Sequence, residues 1–329
     1  MIRRRAIVAA ILLATSGGAY AFVRETTVNG DPAAGKCLYW GTRAVTYKVN
    51  ATSAAAPPLR PACPTCAPCQ DAAAAVALVV NTLPTWGLAT RAGEAQACTD
   101  FGLMNGGTTT STAMGNDGVN LIVFRTGWCQ STSVVPLGDS CRNTVGACAG
   151  KYNCWEHDAS GTIGLTTLTY DTNTGQVLDA DIEFHGWDGN SPANGYYLTC
   201  ASSPACGNPA FGQANCTSVD VASLSLHEAG HVVGLDHTCV YPAPFNSCTA
   251  DSVMQPTIPS GTTRRTLGAD DVAGICTIYP KGAATLTCTS GGGGGTTSPG
   301  GCSTAEGSGL LALGAAAFAL LRMRRRRDR

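Results

Sequence analysis

Charged side chains are scarce in this 329-residue sequence, at 13%, and no sign predominates: 21 Lys and Arg stand against 22 Asp and Glu. The basic residues are also unevenly placed. Residues 1–21 hold three Arg, and residues 303–329 hold six Arg with one Asp and one Glu, which leaves 12 basic and 20 acidic residues between them, a net charge of −8. An acidic body excludes nucleic acid as its partner. No apolar run approaches the roughly 20 residues of a stable membrane span. No repeat period appears. Histidine is rare, with five in the chain, as is methionine, also with five. What the sequence does have is 44% apolar residues, 40 Gly and 17 Cys. That is enough to build a core, and it is not an ordinary cytosolic composition.

The two ends read as addresses. Met1 to Arg5 is basic, Ala6 to Thr15 is a short apolar run, and Ala19-Tyr20-Ala21 supplies a small-x-small cleavage site. Residues 1–21 are therefore expected to be a secretory signal removed before Phe22. At the other end, residues 285–301 form a Gly/Ser/Thr-rich linker containing five consecutive glycines, Gly291 to Gly295. Residues 302–329 follow as a tail made of Cys302, an apolar run from Gly309 to Leu321, and an Arg cluster. The arrangement resembles the C-terminal sorting tails of myxobacterial surface proteins, which implies cleavage near Cys302 and lipid attachment to it. A plain single-pass anchor is the other reading. Either one puts the body outside the cytoplasm, at the cell surface or free, with an outer-membrane attachment through the tail.

Cysteine usage agrees with export. Setting Cys302 aside leaves sixteen, from Cys37 to Cys288, an even and dense set that reads as a disulfide framework. Cys63, Cys66 and Cys69, with Pro64 and Pro68 between them, are read as staples and not as a metal or redox site. Among pairings, only Cys239 with Cys248 is expected.

Within the body (residues 22–284, expected as one domain), Arg43 to Val49, Val119 to Phe124 and Ile163 to Tyr170 read as strands, and Asp71 to Thr82 as a helix. Val177 to Phe184 alternates, with Leu178, Ala180, Ile182 and Phe184 on one face and Asp179, Asp181 and Glu183 on the other. Those carboxylates offer hard oxygen ligands for calcium; the competing reading is a solvated outer face. Asp220 is placed to N-cap a helix from Val221 to Val233. A last helix, 269–279, carries Asp270 and Asp271 in its first turn and stops at Pro280. Strands early and helices late give an α+β fold.

The chemistry is concentrated in Leu226 to Thr238, LHEAGHVVGLDHT, which holds three of the five histidines. His227 and His231, four apart on a helix, share one face, and Glu228 lies beside them. A straight helix would carry His237 away from the pair. Gly234 can adopt a left-handed conformation, end the helix and return the chain so that His237 meets the other two. Three imidazoles with an open fourth position make the ligand set of a catalytic zinc. At this chain's own residue frequencies the pattern arises by chance with a probability on the order of a few in a million.

HEAGHVVGLDH resembles the extended HExxHxxGxxH signature of the metzincin zinc peptidases, and LGADDVAGICTIYP and GQVLDADIEF resemble segments of the matrixin branch. The resemblance implies a disulfide-rich α+β catalytic domain whose mostly parallel sheet packs on the zinc-binding helix and a second long helix, with a C-terminal helix. It implies one zinc held by His227, His231 and His237, with Glu228 as general base and acid and Met254 as a floor in the turn Ser252 to Pro256. The implied activity is endopeptidase cleavage of protein or peptide substrates by a monomer. Two family features are missing: the PRCGxPD propeptide and the His-x-Asp loop of the structural zinc. His157 with Asp158, and His185, are the spare histidines, read as extra metal ligands or as surface polar residues. The loop from Thr238 to Val253 is expected to line the pocket beyond the cut bond. The other functional class open to the sequence is a cell-surface binding module with a purely structural zinc, which would need a fourth protein ligand.

Overall fold

The computed structural model describes residues 22–28, 34–54, 72–157, 162–186, 197–200, 218–238, 251–258 and 262–288. The signal segment, Cys63 to Cys69, Asp158, the Cys239–Cys248 pair, most of the 238–253 loop and the C-terminal tail lie outside them. The strands are β1 (Val23–Arg24), β2 (Tyr39–Trp40), β3 (Ala44–Asn50), β4 (Gly102–Thr109), β5 (Asn120–Thr126), β6 (Gly164–Tyr170), β7 (Gln176–Gly186), β8 (Tyr197–Thr199), β9 (Ser218–Asp220) and β10 (Leu235–Asp236). The helices are α1 (Ala51–Ala54), α2 (Ala72–Thr82), α3 (Ala147–Tyr152), α4 (Val221–Val233) and α5 (Ala269–Ile278).

Six strands form one α+β sheet in the order β2-β7-β5-β3-β4, every neighbouring pair parallel, with β6 antiparallel to β7. On β3, Val45, Tyr47 and Val49 turn inward while Ala44 and Thr46 are exposed, the alternation of a half-covered strand. β5 and β7 lie deeper, with both faces covered along most of their length. Ala180, Ile182 and Phe184 of β7 join Ile122 and Phe124 of β5 in the main core, which also receives α4 and Ala75 and Val79 of α2. Two indole N–H groups tie α4 to its surroundings: Trp86 donates to the Leu226 carbonyl at 3.0 Å and Trp40 to that of Val232 at 2.7 Å. Both bonds satisfy the indole while its rings fill the core.

The opposite face of the sheet corrects an expectation. Asp179, Asp181 and Glu183 are not solvated; their exposures are 1%, 1% and 3%. Residues 111–118 and the cysteine-rich segment 127–157 lie over them. Glu183 accepts from Arg125 Nε and pairs with His157 Nε2 at 2.9 Å. The Arg125 guanidinium reaches on to the Thr112 and Ala149 carbonyls at 2.9 Å each. Burial opposes the charge of Glu183, yet the His157 hydrogen bond and Arg125 hold it below the usual carboxylate range. His185 is buried as well, stacked on Trp155 with ring centroids 4.4 Å apart, and is no surface residue. Leu178, expected inward, is 48% exposed.

Four disulfides fall among the described residues. Cys129–Cys154 and Cys141–Cys148 staple the 127–157 segment, which has its own small apolar cluster. Cys98–Cys276 ties α5 back to the sheet, and Cys37–Cys288 closes the ends of the body on each other.

The buried carboxylates make stability depend on pH. Asp181 accepts the N–H groups of Gly115 and Leu121, both at 2.8 Å, but burial outweighs them and pushes its carboxyl up to about 7. Asp179 is also raised, by burial and then by Asp117, and shares a hydrogen bond with Asp181. A folded pKa above the unfolded value means the folded state holds the extra proton. That stabilisation is complete below about pH 4 and is lost as pH rises through 7, by at most about 1.4 kcal/mol per pH unit. Asp179→Asn removes the neighbouring charge and supplies an N–H in place of the shared proton. Thermal unfolding at pH 6 and pH 8 should show wild type losing stability between the two and the variant losing less, by about 1 kcal/mol or about 2–4 °C. Equal losses in both would mean that the pair does not titrate as a unit.

Candidate metal centre

The centre is built on α4, which is buried along its whole length. Asp220 starts the helix by accepting the Ser223 N–H at 3.0 Å, and is itself gripped by Arg265 Nε and Nη2 at 2.9 and 2.6 Å. The helix stops at Gly234, whose φ of 97° is left-handed and whose N–H returns to the Gly230 and His231 carbonyls. The next two residues, β10, pair antiparallel with β1. His237 follows, and Thr238 N–H donates to the Met254 carbonyl at 3.0 Å.

The result is a near-equilateral triangle of rings. Centroids of His227, His231 and His237 lie 5.0, 5.2 and 4.9 Å apart, and one nitrogen from each falls within 4.8 Å of the others. His227 Nε2 and His237 Nε2 are separated by 3.2 Å. Two of the rings spend Nδ1–H elsewhere. His227 donates to the Val253 carbonyl at 2.6 Å, and His231 to the Leu235 carbonyl at 2.9 Å and to Glu25 Oε1 at 3.0 Å. Their Nε2 lone pairs are thereby left facing a common centre. Facing lone pairs repel unless a cation lies between them, so the donor set fits a borderline metal such as zinc. Among the described residues no fourth Asp, Glu, Cys or His joins this group.

Charge follows the same logic. Burial, then the neighbouring His231 and His237, holds His227 well below its ordinary value, and burial with His231 takes His237 down to about 3. Both rings are neutral at physiological pH, as ligands must be. Burial also opposes charge on His231, but Glu25 hydrogen-bonded to it prevails and raises it to about 9, so a metal entering the centre would have to displace a proton from this ring.

Met254 is 1% exposed and its sulfur packs against Gly230 of α4. A Cβ at Gly230 would fall 2.1 Å from its sulfur, so the second variable position of HEAGH admits the methionine only because it is glycine. The turn is held from below by Asp271 of α5, which accepts the Ser252 hydroxyl at 2.7 Å and the Val253 N–H at 2.9 Å. Asp271 thus supports Val253, whose carbonyl orients His227.

Glu228 lines the cleft beside the three histidines. Its carboxylate accepts the Thr166 hydroxyl of β6 at 2.7 Å, and burial raises its carboxyl above the ordinary range. A cleft of about 780 Å³ opens here, walled by residues 164–168 of β6 and by residues 255–258, with Leu224, the three histidines and Glu228 between them. Among the described strands β6 pairs only with β7, and none lies on its other edge.

The remaining candidates do not join the centre. Asp179, Asp181 and Glu183 form the separate buried network described above, and His157 and His185 belong to its Glu183–Trp155 end. Sequence reasoning missed Thr166 and Glu25, which reach the site across 62 and 206 residues. Thr166 carried a weak signal, its place on the strand expected at 163–170; Glu25 carried none.

Comparison with known proteins bears on this region. The sequence model of the Matrixin family matches residues 157–280, the stretch from His157 through the histidine motif to the end of α5. Metalloendoproteinase 2-MMP of Arabidopsis thaliana is 39% identical over 62 residues, which is 19% of this chain. The matched stretch spans 14% of that plant protein's length. The part of the chain that carries the histidine centre is therefore matrixin-like.

Proposed function

We propose that the protein is a zinc-dependent endopeptidase with His227, His231 and His237 as metal ligands and Glu228 as the proton-transfer group. The observation that carries the reading is the convergence of three imidazole nitrogens beside a buried glutamate, in a cleft bordered by the edge of β6 that no described strand covers. Zinc bound there supplies Lewis-acid polarisation of the scissile carbonyl and makes water a nucleophile near neutral pH. The chain's own groups do the rest. An extended peptide adds to the edge of β6 that no described strand covers, by main-chain hydrogen bonds, which holds its backbone along the cleft whatever its side chains. Glu228 takes a proton from the attacking water and delivers it to the departing amine, first base and then acid. Its burial suits the first role, because a carboxylate whose charge is disfavoured by burial takes a proton from water more readily than an ordinary carboxylate does. The Thr166 hydroxyl keeps the carboxylate turned toward the cleft. Met254 packs beneath the rings and takes no part in proton transfer.

That no fourth side-chain ligand joins the triangle among the described residues favours catalysis over a structural zinc. Disulfides among the described residues favour an oxidising compartment, in keeping with an exported protein working at or beyond the cell surface, as a monomer, on protein or peptide substrates. Casein turnover by the full chain provides the test. Activity should disappear with a zinc chelator and return with stoichiometric zinc, and mass spectrometry should locate cuts inside the substrate chain. Turnover that survives complete metal removal, or a zinc-loaded protein that cuts nothing, would sink the reading.

A further inference from the structure

The N-terminal segment 22–28 lies far in sequence from α4, yet it is bonded to the turn that completes the histidine triangle. β1 pairs with β10, Glu25 N–H donates to the Gly234 carbonyl at 3.0 Å, and Leu38 N–H donates to the Glu25 carbonyl at 2.8 Å. Arg24, 1% exposed, donates to the Leu38 carbonyl at 2.8 Å and to that of Leu286 at 3.3 Å. The Cys37–Cys288 disulfide closes the same layer. The backbone of residue 25 is therefore held on both sides, and the carboxylate it carries is aimed at one place, His231 Nδ1, 3.0 Å away.

That contact differs from those of the other rings. His227 Nδ1 meets one backbone carbonyl, whereas His231 Nδ1 lies between the Leu235 carbonyl and the Glu25 carboxylate. The Leu235 carbonyl belongs to the chain just past the helix end and would follow any movement of that turn. Glu25 comes from a different, separately anchored segment.

We infer that Glu25 is a positioning residue for the metal: by accepting Nδ1–H from His231 it locks that ring with Nε2 toward the centre, and makes metal retention depend on the N-terminal segment. A carboxylate behind a ligating imidazole fixes its tautomer and strengthens it as a donor, and the loss of such a partner typically lowers metal affinity by about 10–100-fold. The inference rests on the zinc reading proposed above.

The test compares wild type, Glu25→Ala, Glu25→Gln and Glu25→Asp in the full chain. Zinc affinity is read by competition with a chromophoric chelator, and ligand geometry by the visible spectrum of the cobalt-substituted protein. Glu25→Ala should bind zinc about 10–100-fold more weakly and shift the cobalt bands. Glu25→Gln, whose amide oxygen still accepts the Nδ1–H, should stay within about threefold of wild type with an unchanged spectrum. Glu25→Asp keeps the charge and the strand but withdraws the carboxylate by one methylene, so it should fall with alanine even if the alanine variant folds poorly. Wild-type affinity and cobalt spectrum in both the alanine and aspartate variants would overturn the inference while leaving the zinc centre standing. A wild-type chain that takes up no zinc would instead remove the centre itself.

Discussion

Glu228→Gln should leave the metal content of the protein unchanged and lower peptide hydrolysis by about 10³–10⁴-fold. Glutamine matches glutamate in shape, and its amide oxygen can still accept the Thr166 hydroxyl that now lies 2.7 Å from Oε2. The side chain is 3% exposed, so its neighbours keep it in place. What the amide cannot do is receive a proton from water and pass it to an amine. General acid–base assistance is worth about 10²–10⁴-fold, and here one group serves in both directions, which places the expected loss toward the upper end. The three imidazoles are untouched, so zinc stoichiometry by atomic absorption should remain that of wild type. Turnover within about tenfold of wild type would show that some other group moves the proton.

Gly234→Ala should damage both stability and metal binding. At φ 97° an L-residue pays about 1–2 kcal/mol for the left-handed conformation. A Cβ there would also stand 2.7 Å from the Leu38 carbonyl oxygen, a backbone atom that Arg24 already holds. Together these effects are expected to cost on the order of 2–4 kcal/mol, or roughly 5–15 °C in Tm. If the chain relaxes by unwinding the turn, His237 leaves the triangle and zinc affinity falls by at least about 100-fold. Gly107 provides the control. It has a φ of 88° but nothing within 4 Å of its would-be Cβ, so Gly107→Ala should show only the conformational part and leave zinc binding alone. Equal effects of the two substitutions would mean that the contact with Leu38 does not matter.

Much of the fold was legible because it is written locally. α4 announces itself by its Asp220 cap and Gly234 stop, α5 by its first-turn acids and Pro280, and β3, β5, β6 and β7 by alternation and β-branching, with boundaries within two residues or so. β4 was not legible. Its Gly102–Thr109 stretch reads GLMNGGTT, a glycine-rich run without alternation, and it is a strand because β3 offers it a parallel edge. The row Asp179, Asp181, Glu183 shows the complementary limit. Alternation separates two faces of a strand but says nothing of what covers each. The covering came from residues 111–118 and 127–157, which carry the Gly115 N–H, the Asn153 and Ala149 acceptors and Trp155.

The same division runs through the histidine centre. His227, Glu228, His231, Gly234 and His237 lie within eleven residues, so helical geometry and one left-handed turn are enough to place them, and those are short-range properties of the backbone. Which way each ring is turned, and what keeps it there, belongs to contacts between segments 26, 62 and 206 residues apart: Val253 on His227, Thr166 on Glu228, Glu25 on His231. Such contacts leave no period in a sequence, because they are made only once the sheet, α5 and the N-terminal segment have packed around α4.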